Sequence, residues 1–235
     1  MKSSLINHCK IAALSVALPL ALMPSTRAAV SLNFNLSDLY SYGTSEQILD
    51  YYNGGTDAGG ATGPNYGISF GPDALALQNY PNSNVGNEPD GGDASMIFLS
   101  GSGDVMNVAS GFTTGFSFYE STPYGGSVSV YSGLNDTGTL LASLSLPIST
   151  NFPSEPYYGG GGSWDPVGVS FAGTAESVDF SGTANYIAFA DVTLGSENVQ
   201  IGNGVPDTTG MSLYGIVALA LAGMAWSRRK TKALI

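Results

Sequence analysis

Hydrophobic and polar residues alternate with a period of two through the middle of the chain, which is the spacing of strands with one buried face. No stretch longer than about ten residues keeps the period of a helix. Short alternating runs between Gly-rich turns predict an all-β domain, and we expect an antiparallel, jelly-roll-like β-sandwich over 29–194. The predicted strands are 30–36, 95–99, 115–119, 127–131, 140–146, 167–171, 177–180 and 186–194. In 140–146 the even-numbered residues are expected to share one face of the strand, with Ser143 and Ser145 on the other.

The first 28 residues have the pattern of a secretory signal peptide. Basic Lys2 and Lys10 accompany an apolar run over 11–23, and small residues precede a cleavage point before Ala29. The alternative, an uncleaved membrane anchor, needs an apolar run of about 18 residues or more. We therefore expect a signal peptide over 1–28, which contains the chain's single His and single Cys.

A second apolar segment lies near the C-terminus. No residue from 208 to 227 is charged, and twenty helical residues rise about 30 Å, enough to cross the hydrocarbon core of a bilayer. We expect one transmembrane helix over 209–227, joined to the domain by a linker over 195–204. A buried amphipathic helix is the alternative, but the segment is apolar on all sides. The basic tail 228–235 is expected to stay in the cytoplasm, which places the domain outside the cytoplasmic membrane.

Three features of this segment, 205–235, resemble a known sorting signal. The motif Val205-Pro206-Asp207 is followed by a single apolar span and then by Arg228-Arg229. Together they resemble the PEP-CTERM class, in particular its VPDSG-like variant. The resemblance implies an exported bacterial protein that an exosortase, an integral membrane protease or transpeptidase, recognises and processes. The protein would first be held in the membrane and would then reach the cell surface or the extracellular space.

The middle of the chain also resembles the extracellular domain of many PEP-CTERM proteins. The resemblance rests on five segments and implies a β-sandwich displayed outside the membrane, with no activity attached. The segments are Glu46-Gln47-Ile48-Leu49-Asp50-Tyr51-Tyr52-Asn53-Gly54-Gly55-Thr56-Asp57, Gly63-Pro64-Asn65-Tyr66-Gly67-Ile68-Ser69-Phe70, Asn87-Glu88-Pro89, Val108-Ala109-Ser110-Gly111-Phe112 and Val169-Ser170-Phe171-Ala172-Gly173-Thr174-Ala175.

The charge distribution excludes most chemistry. Between Ala29 and Gly210 there is no Lys, Arg, His or Cys, while all 18 Asp and Glu lie there, so this stretch has a formal charge of −18. Thiolate attack, imidazole catalysis and Schiff-base formation therefore lack their side chains. Nucleic-acid binding is excluded because it depends on cations, and we expect no organic cofactor. Ser69 fits a G-x-S-x-G motif by chance, since a serine hydrolase needs a His. A glycosidase that uses only carboxylates is the least favoured alternative.

Calcium is a candidate structural ion, because Asp-rich loops with flexible glycines supply the oxygens that it prefers. The alternative is that these acids form turns without an ion, since Asp and Asn favour turns for local reasons. The candidate ligands are a first cluster of Asp50, Asn53 and Asp57, a second cluster of Glu88, Asp90 and Asp93, and Asp191 on the last predicted strand.

Aromatic residues in loop-like positions are candidates for stacking on sugars, and exopolysaccharide is the matrix expected around an exosortase substrate. The alternative is that these rings fill the sandwich. Our leading interpretation is a non-enzymatic surface or extracellular-matrix protein, and a carbohydrate-binding module is the competing one. The candidate glycan-binding residues are Tyr51, Tyr52, Tyr66, Tyr124, Tyr157, Tyr158 and Trp164.

Overall fold

The computed structural model of the protein describes residues 29–37, 44–78, 94–150 and 162–201. These residues form one sheet of ten strands, and every pairing in it is antiparallel. The all-β class is confirmed. The strands are β1 (Val30–Leu32), β2 (Ser45–Gln47), β3 (Ile68–Phe70), β4 (Leu75–Gln78), β5 (Ala94–Ile97), β6 (Gly103–Ser121), β7 (Gly126–Tyr131), β8 (Leu140–Leu146), β9 (Asp165–Gly182) and β10 (Ala188–Leu194).

Two long strands organise the sheet. The strand order is β2-β4-β5-β10-β6-β9-β7-β8, while β1 pairs with β10 and β3 pairs with β6. The first part of β6 lies between β3 and the last part of β9, whereas its second part lies between β10 and the first part of β9. The strands β6 and β9 therefore belong to both halves of the sheet.

Both long strands change register near their middles. Between the pairs Asn107↔Ser177 and Phe112↔Ala175, four residues of β6 face one residue of β9. Just beyond, three residues of β9 face the single residue Thr113 before pairing resumes. Extra residues of this kind bend a strand and increase its twist. We call this region, 108–114 of β6 and 171–175 of β9, the bend.

Aromatic contacts show that the sheet folds over at the bend. Phe116 and Phe118 lie on the second part of β6, and Phe180 lies on the last part of β9. The Phe180 ring lies 5.9 Å from Phe116, 6.1 Å from Phe118 and 4.9 Å from Phe189 of β10, measured between ring centroids. All four side chains are fully buried. The two halves of the sheet thus face each other across a common core, as in a β-sandwich.

Some strand predictions were wrong in detail. The run 30–36 was predicted as one strand, but β1 ends at Leu32 and Phe34 has a φ of 57°. Leu140 was expected to share a strand face with Leu146, yet Leu140 is 51% exposed and Leu146 is buried. The register of β7 and β8 slips there, so that Tyr131 pairs with Leu140 and the next pair is Val130 with Ala142. Strands β2, β3 and β4 were not predicted.

Residues 195–201 are attached to the sheet, although they belong to the predicted linker 195–204. The Ser117 hydroxyl donates to the carbonyl oxygen of Ser196 at 3.1 Å, and the Ser31 hydroxyl donates to that of Gln200 at 2.8 Å. The domain therefore extends at least to Gln200. Among the residues that the structure describes, no helix is long and apolar enough to cross a membrane. The predicted signal peptide and transmembrane helix lie outside those residues.

Candidate functional site

The bend brings both ends of β6 and both ends of β9 to the same end of the domain. The Asn185 amide donates to the Phe98 carbonyl oxygen at 2.8 Å, and the Ser149 amide donates to that of Thr122 at 2.9 Å. The first bond joins the connections 98–102 and 183–187, and the second joins 122–125 and 147–150. We call these four connections the loop end. Strands in a sandwich place their connections together in this way, and connections commonly carry function.

A buried acid lies beneath the loop end. Glu120 is 0% exposed, and strand alternation places it on the same core-facing side of β6 as Phe118. It is opposite Asp165 of β9 and Phe189 of β10. The Ser149 hydroxyl lies 3.4 Å from each carboxyl oxygen of Glu120. The same hydroxyl oxygen accepts a hydrogen bond from the Thr122 amide at 3.0 Å, which fixes 147–150 over the acid.

Burial and, after it, the negative charge of Asp165 raise the pKa of Glu120 to about 8, although the Ser149 hydroxyl opposes the shift. Glu120 is therefore protonated at neutral pH. A protonated Glu beside a second carboxyl group is an arrangement used in acid–base catalysis. However, a substrate cannot reach a carboxyl group that is 0% exposed. The arrangement fits a neutral acid that caps the core.

The sequence did not point to Glu120 and Asp165 as a pair. They are separated by 45 positions and meet only because β6 and β9 pair in the observed register. In a strand, Phe116, Phe118 and Glu120 lie on the same face because side chains alternate with a period of two. This alternation could have indicated from the sequence that Glu120 is a buried acid.

The predicted glycan-binding aromatic residues have different environments. Tyr124 is 59% exposed at the loop end, and its ring packs edge-on against Tyr186 with centroids 4.9 Å apart. Trp164 is half-buried and immediately precedes Asp165. Tyr66 is half-buried and lies nearly parallel to the Tyr52 ring, with centroids 6.2 Å apart. Tyr157 and Tyr158 lie outside the described residues.

The expectation of surface rings is wrong for Tyr51 and Tyr52. They are 7% and 4% exposed, because both rings pack into the aromatic core. Their ring centroids lie 5.1 Å apart, and Tyr52 also meets Phe34 and Phe70 at 6.2 and 6.4 Å. These two tyrosines have no ring face that could stack on a glycan in this conformation.

The first predicted calcium cluster lies in one hairpin. The Asn53 amide group donates to the Asp50 carboxylate at 3.4 Å, and both residues are exposed. Asp57 is 3% exposed, and one of its carboxylate oxygens accepts from the Ala61 amide at 2.8 Å. Its other oxygen is buried without a hydrogen bond.

Of the remaining predicted ligands, Asp191 alone lies in the described part of the chain. Asp191 is 2% exposed and occupies the point of β10 where the register with β6 shifts, with a φ of 48°. Glu88, Asp90 and Asp93 lie outside the described residues. Within 29–37, 44–78, 94–150 and 162–201, no group of three or more His, Cys, Asp or Glu is placed to hold a metal ion. The calcium proposal thus stays a prediction that rests on oxygen-rich turns.

Three further acids lie close together on the other half of the sheet. Burial raises the pKa of Asp136, and the charges of Asp179 and then Asp104 add to the shift. Asp136 follows Asn135 in the β7–β8 turn, where both residues have positive φ of 59° and 54°. The Asp136 amide donates to the Ser177 hydroxyl at 3.0 Å. This proximity was missed because it depends on how the turn folds over β9.

A cleft of about 250 Å³ lies beside the bend. Its walls are mainly apolar, and the half-buried Tyr66 forms one of them. One serine and two threonines, Ser110, Thr113 and Thr174, line the same space. The other lining residues are Val30, Ile68, Val108, Gly111, Phe112, Leu194 and Gly195.

Comparison with known proteins identifies no family for this chain. No protein-family model matches the chain, and no curated protein matches it significantly. Among solved structures, the chain is similar to a glycoside hydrolase family 43 arabinoxylan arabinofuranohydrolase from Bacillus subtilis, crystallised in complex with cellotetraose. The identity is 18% and the TM-score 0.37, and the match covers 59% of this chain and 30% of that one. The matched part thus spans less than a third of the hydrolase.

Proposed function

We propose that the protein is an exported, non-catalytic surface or extracellular-matrix protein, sorted through its C-terminal segment by an exosortase. The observation that carries the proposal is the distribution of charge. A stretch of −18 without a single cation lies between an N-terminal segment typical of a signal peptide and an apolar segment followed by arginines. An acidic surface keeps an exported protein soluble, and the basic tail fixes the orientation in the membrane.

The folded domain is consistent with a display role. Its ten strands close over one aromatic core without a disulfide, since the sequence from Ala29 onward has no Cys. The acid best placed for proton transfer, Glu120, is 0% exposed. We include in the proposal a jelly-roll-like sandwich, and calcium as a structural ion bound by oxygen-rich turns such as that of Asp57.

Deletion of the sorting motif tests the proposal. The full chain is produced in a bacterium that has an exosortase and in one that lacks it, and the protein is followed by immunoblotting of membrane and external fractions. We expect a shorter external form only in the first host, and its loss when 205–207 are deleted. Deletion of 202–204, three residues of the neighbouring segment, is the matched control and should leave processing intact. Equal processing of both deletion variants would contradict the role of the motif.

A second candidate function is polysaccharide binding at the loop end. The exposed Tyr124 favours it, because its edge-on contact with Tyr186 holds the ring while leaving 59% of the residue exposed. Aromatic faces of this kind stack on the apolar face of a sugar. The absence of cations from the domain favours a neutral polysaccharide over an anionic one.

A further inference from the structure

Strand β8 forms one edge of the sheet. It is the last strand in the order and pairs with β7 through Gly126↔Leu146 to Tyr131↔Leu140. Among the described residues, no strand pairs with its other side. An edge strand presents a row of backbone N–H and C=O groups that another strand can pair with.

Exposed apolar side chains are concentrated around this edge. Six large hydrophobic residues are exposed in the described part of the chain, and four of them lie between 124 and 148. Leu140 belongs to β8 itself, and Leu134 belongs to the turn between β7 and β8. Tyr124 precedes β7 and Ile148 follows β8, at the other end of this hairpin. These are Tyr124, 59% exposed, Leu134, 38%, Leu140, 51%, and Ile148, 64%.

The same region is almost free of charge. In the thirty residues from 121 to 150, Asp136 is the only charged residue, although the stretch from Ala29 to Gly210 holds 18 acids. Edge strands that avoid pairing usually carry charges, above all Lys, or Pro within the strand. Strand β8 has the sequence LLASLSL and contains neither. It is therefore the place where two strongly acidic copies can approach with the least repulsion.

We propose that β8 pairs with β8 of a second copy of this chain, joining two domains into one continuous sheet. Two-fold symmetry makes such a contact self-complementary and requires the two strands to run antiparallel. Pairing along the whole of Leu140–Leu146 places Ser143, its middle residue, opposite Ser143 of the other copy. The exposed Ser145 then faces Leu141 of the other copy.

Disulfide trapping in the full chain tests this register. In a Cys9→Ser background, Ser143→Cys places two thiols directly opposite, where Cβ atoms lie about 4.5–5.5 Å apart, close to disulfide geometry. Ser145→Cys is the matched control: it is an exposed serine on the same strand and face, but its two copies are about 13 Å apart along the strand direction. The oxidised proteins are compared on non-reducing gels after purification in detergent.

We expect Ser143→Cys to form at least about fivefold more covalent dimer than Ser145→Cys. The amount of Ser143→Cys dimer should increase with monovalent salt, because salt screens the repulsion between the acidic domains. If two copies meet through a membrane segment or by random collision, both variants should form equal amounts of covalent dimer. That result would overturn the proposal. A lack of dimer in both variants, with melting temperatures unchanged, would also overturn it.

Discussion

The rings of Phe118 and Phe180 lie 6.1 Å apart in the core, yet their strands pair in a register that would separate them widely on a flat sheet. The β6 residue opposite Phe180 is Asp104, and 118 − 104 is 14 residues, or about 46 Å of straight strand. The contact therefore requires both strands to reverse over the bend. Core formation, the loop end and the burial of Glu120 all depend on that reversal.

The first prediction concerns the bend. Gly111 has a φ of 65°, and an added Cβ would lie 2.4 Å from the Thr174 Cγ2 and 3.2 Å from the Ala175 carbonyl oxygen. We expect Gly111→Ala to lower the free energy of unfolding by about 3 kcal/mol, because backbone strain and a steric clash combine. Denaturant unfolding measures the loss.

Gly67→Ala is the control for this prediction. Gly67 has a similar φ of 71°, but an added Cβ would only touch the Ser110 hydroxyl at 3.7 Å. We expect a loss of about 1 kcal/mol from strain alone. If both variants lost the same free energy of unfolding, the close contacts around Gly111 would not contribute to stability, which would contradict the prediction.

The second prediction is a pH dependence from Glu120. Its pKa in the folded protein is about 8, above the ordinary value of 4.5, so the folded state binds the proton more tightly than the unfolded state. Its contribution is fully present below pH 4.5 and is lost as pH rises towards 8. The free energy of unfolding should fall by about 1.4 kcal/mol per pH unit across this window from Glu120 alone.

Glu120→Gln isolates that contribution, since the amide is neutral at every pH. We expect the difference in stability between the variant and the unchanged protein to grow in favour of the variant from pH 5 to pH 8. Glu197→Gln, at an exposed position, should follow the unchanged protein throughout. A pH profile of Glu120→Gln parallel to that of the unchanged protein would mean that Glu120 is ionised in the folded state.

The third prediction concerns calcium. We expect a saturable rise in melting temperature with calcium at fixed ionic strength, reversed by chelator and specific over magnesium, because a bound cation compensates buried carboxylates. Asp57→Asn should abolish the rise, and Asp73→Asn, outside the predicted clusters, should keep it. If monovalent salt alone reproduces the rise, the effect is screening of like charges rather than a calcium site.

The fourth prediction concerns Tyr124. Tyr124→Ala should reduce retention on neutral polysaccharide several-fold, and Tyr124→Phe should preserve it, because stacking needs the ring rather than the hydroxyl. Binding through stacking should survive high salt. Trp164→Ala should also reduce retention if both rings contribute to one surface. Unchanged retention of Tyr124→Ala, with an unchanged melting temperature, would remove the loop end as a glycan site.

The sequence predicted the all-β class and most of the strands because alternation is a local property. It missed the bend, since the three extra residues in β6 and the two extra residues in β9 look like ordinary strand residues until they are paired. It placed Tyr51 and Tyr52 at the surface because a turn-rich context does not reveal that the turn packs on Phe34. The Glu120–Asp165 pair was likewise invisible, because register between distant strands is set by the whole sheet.

The most direct test of the central claim is the intact mass and N-terminal sequence of the protein recovered from outside exosortase-containing cells. The account predicts a chain that begins at Ala29, ends near the motif 205–207, and lacks the apolar segment and basic tail. An unprocessed chain of 24.1 kDa that remains in the cytoplasm would contradict it.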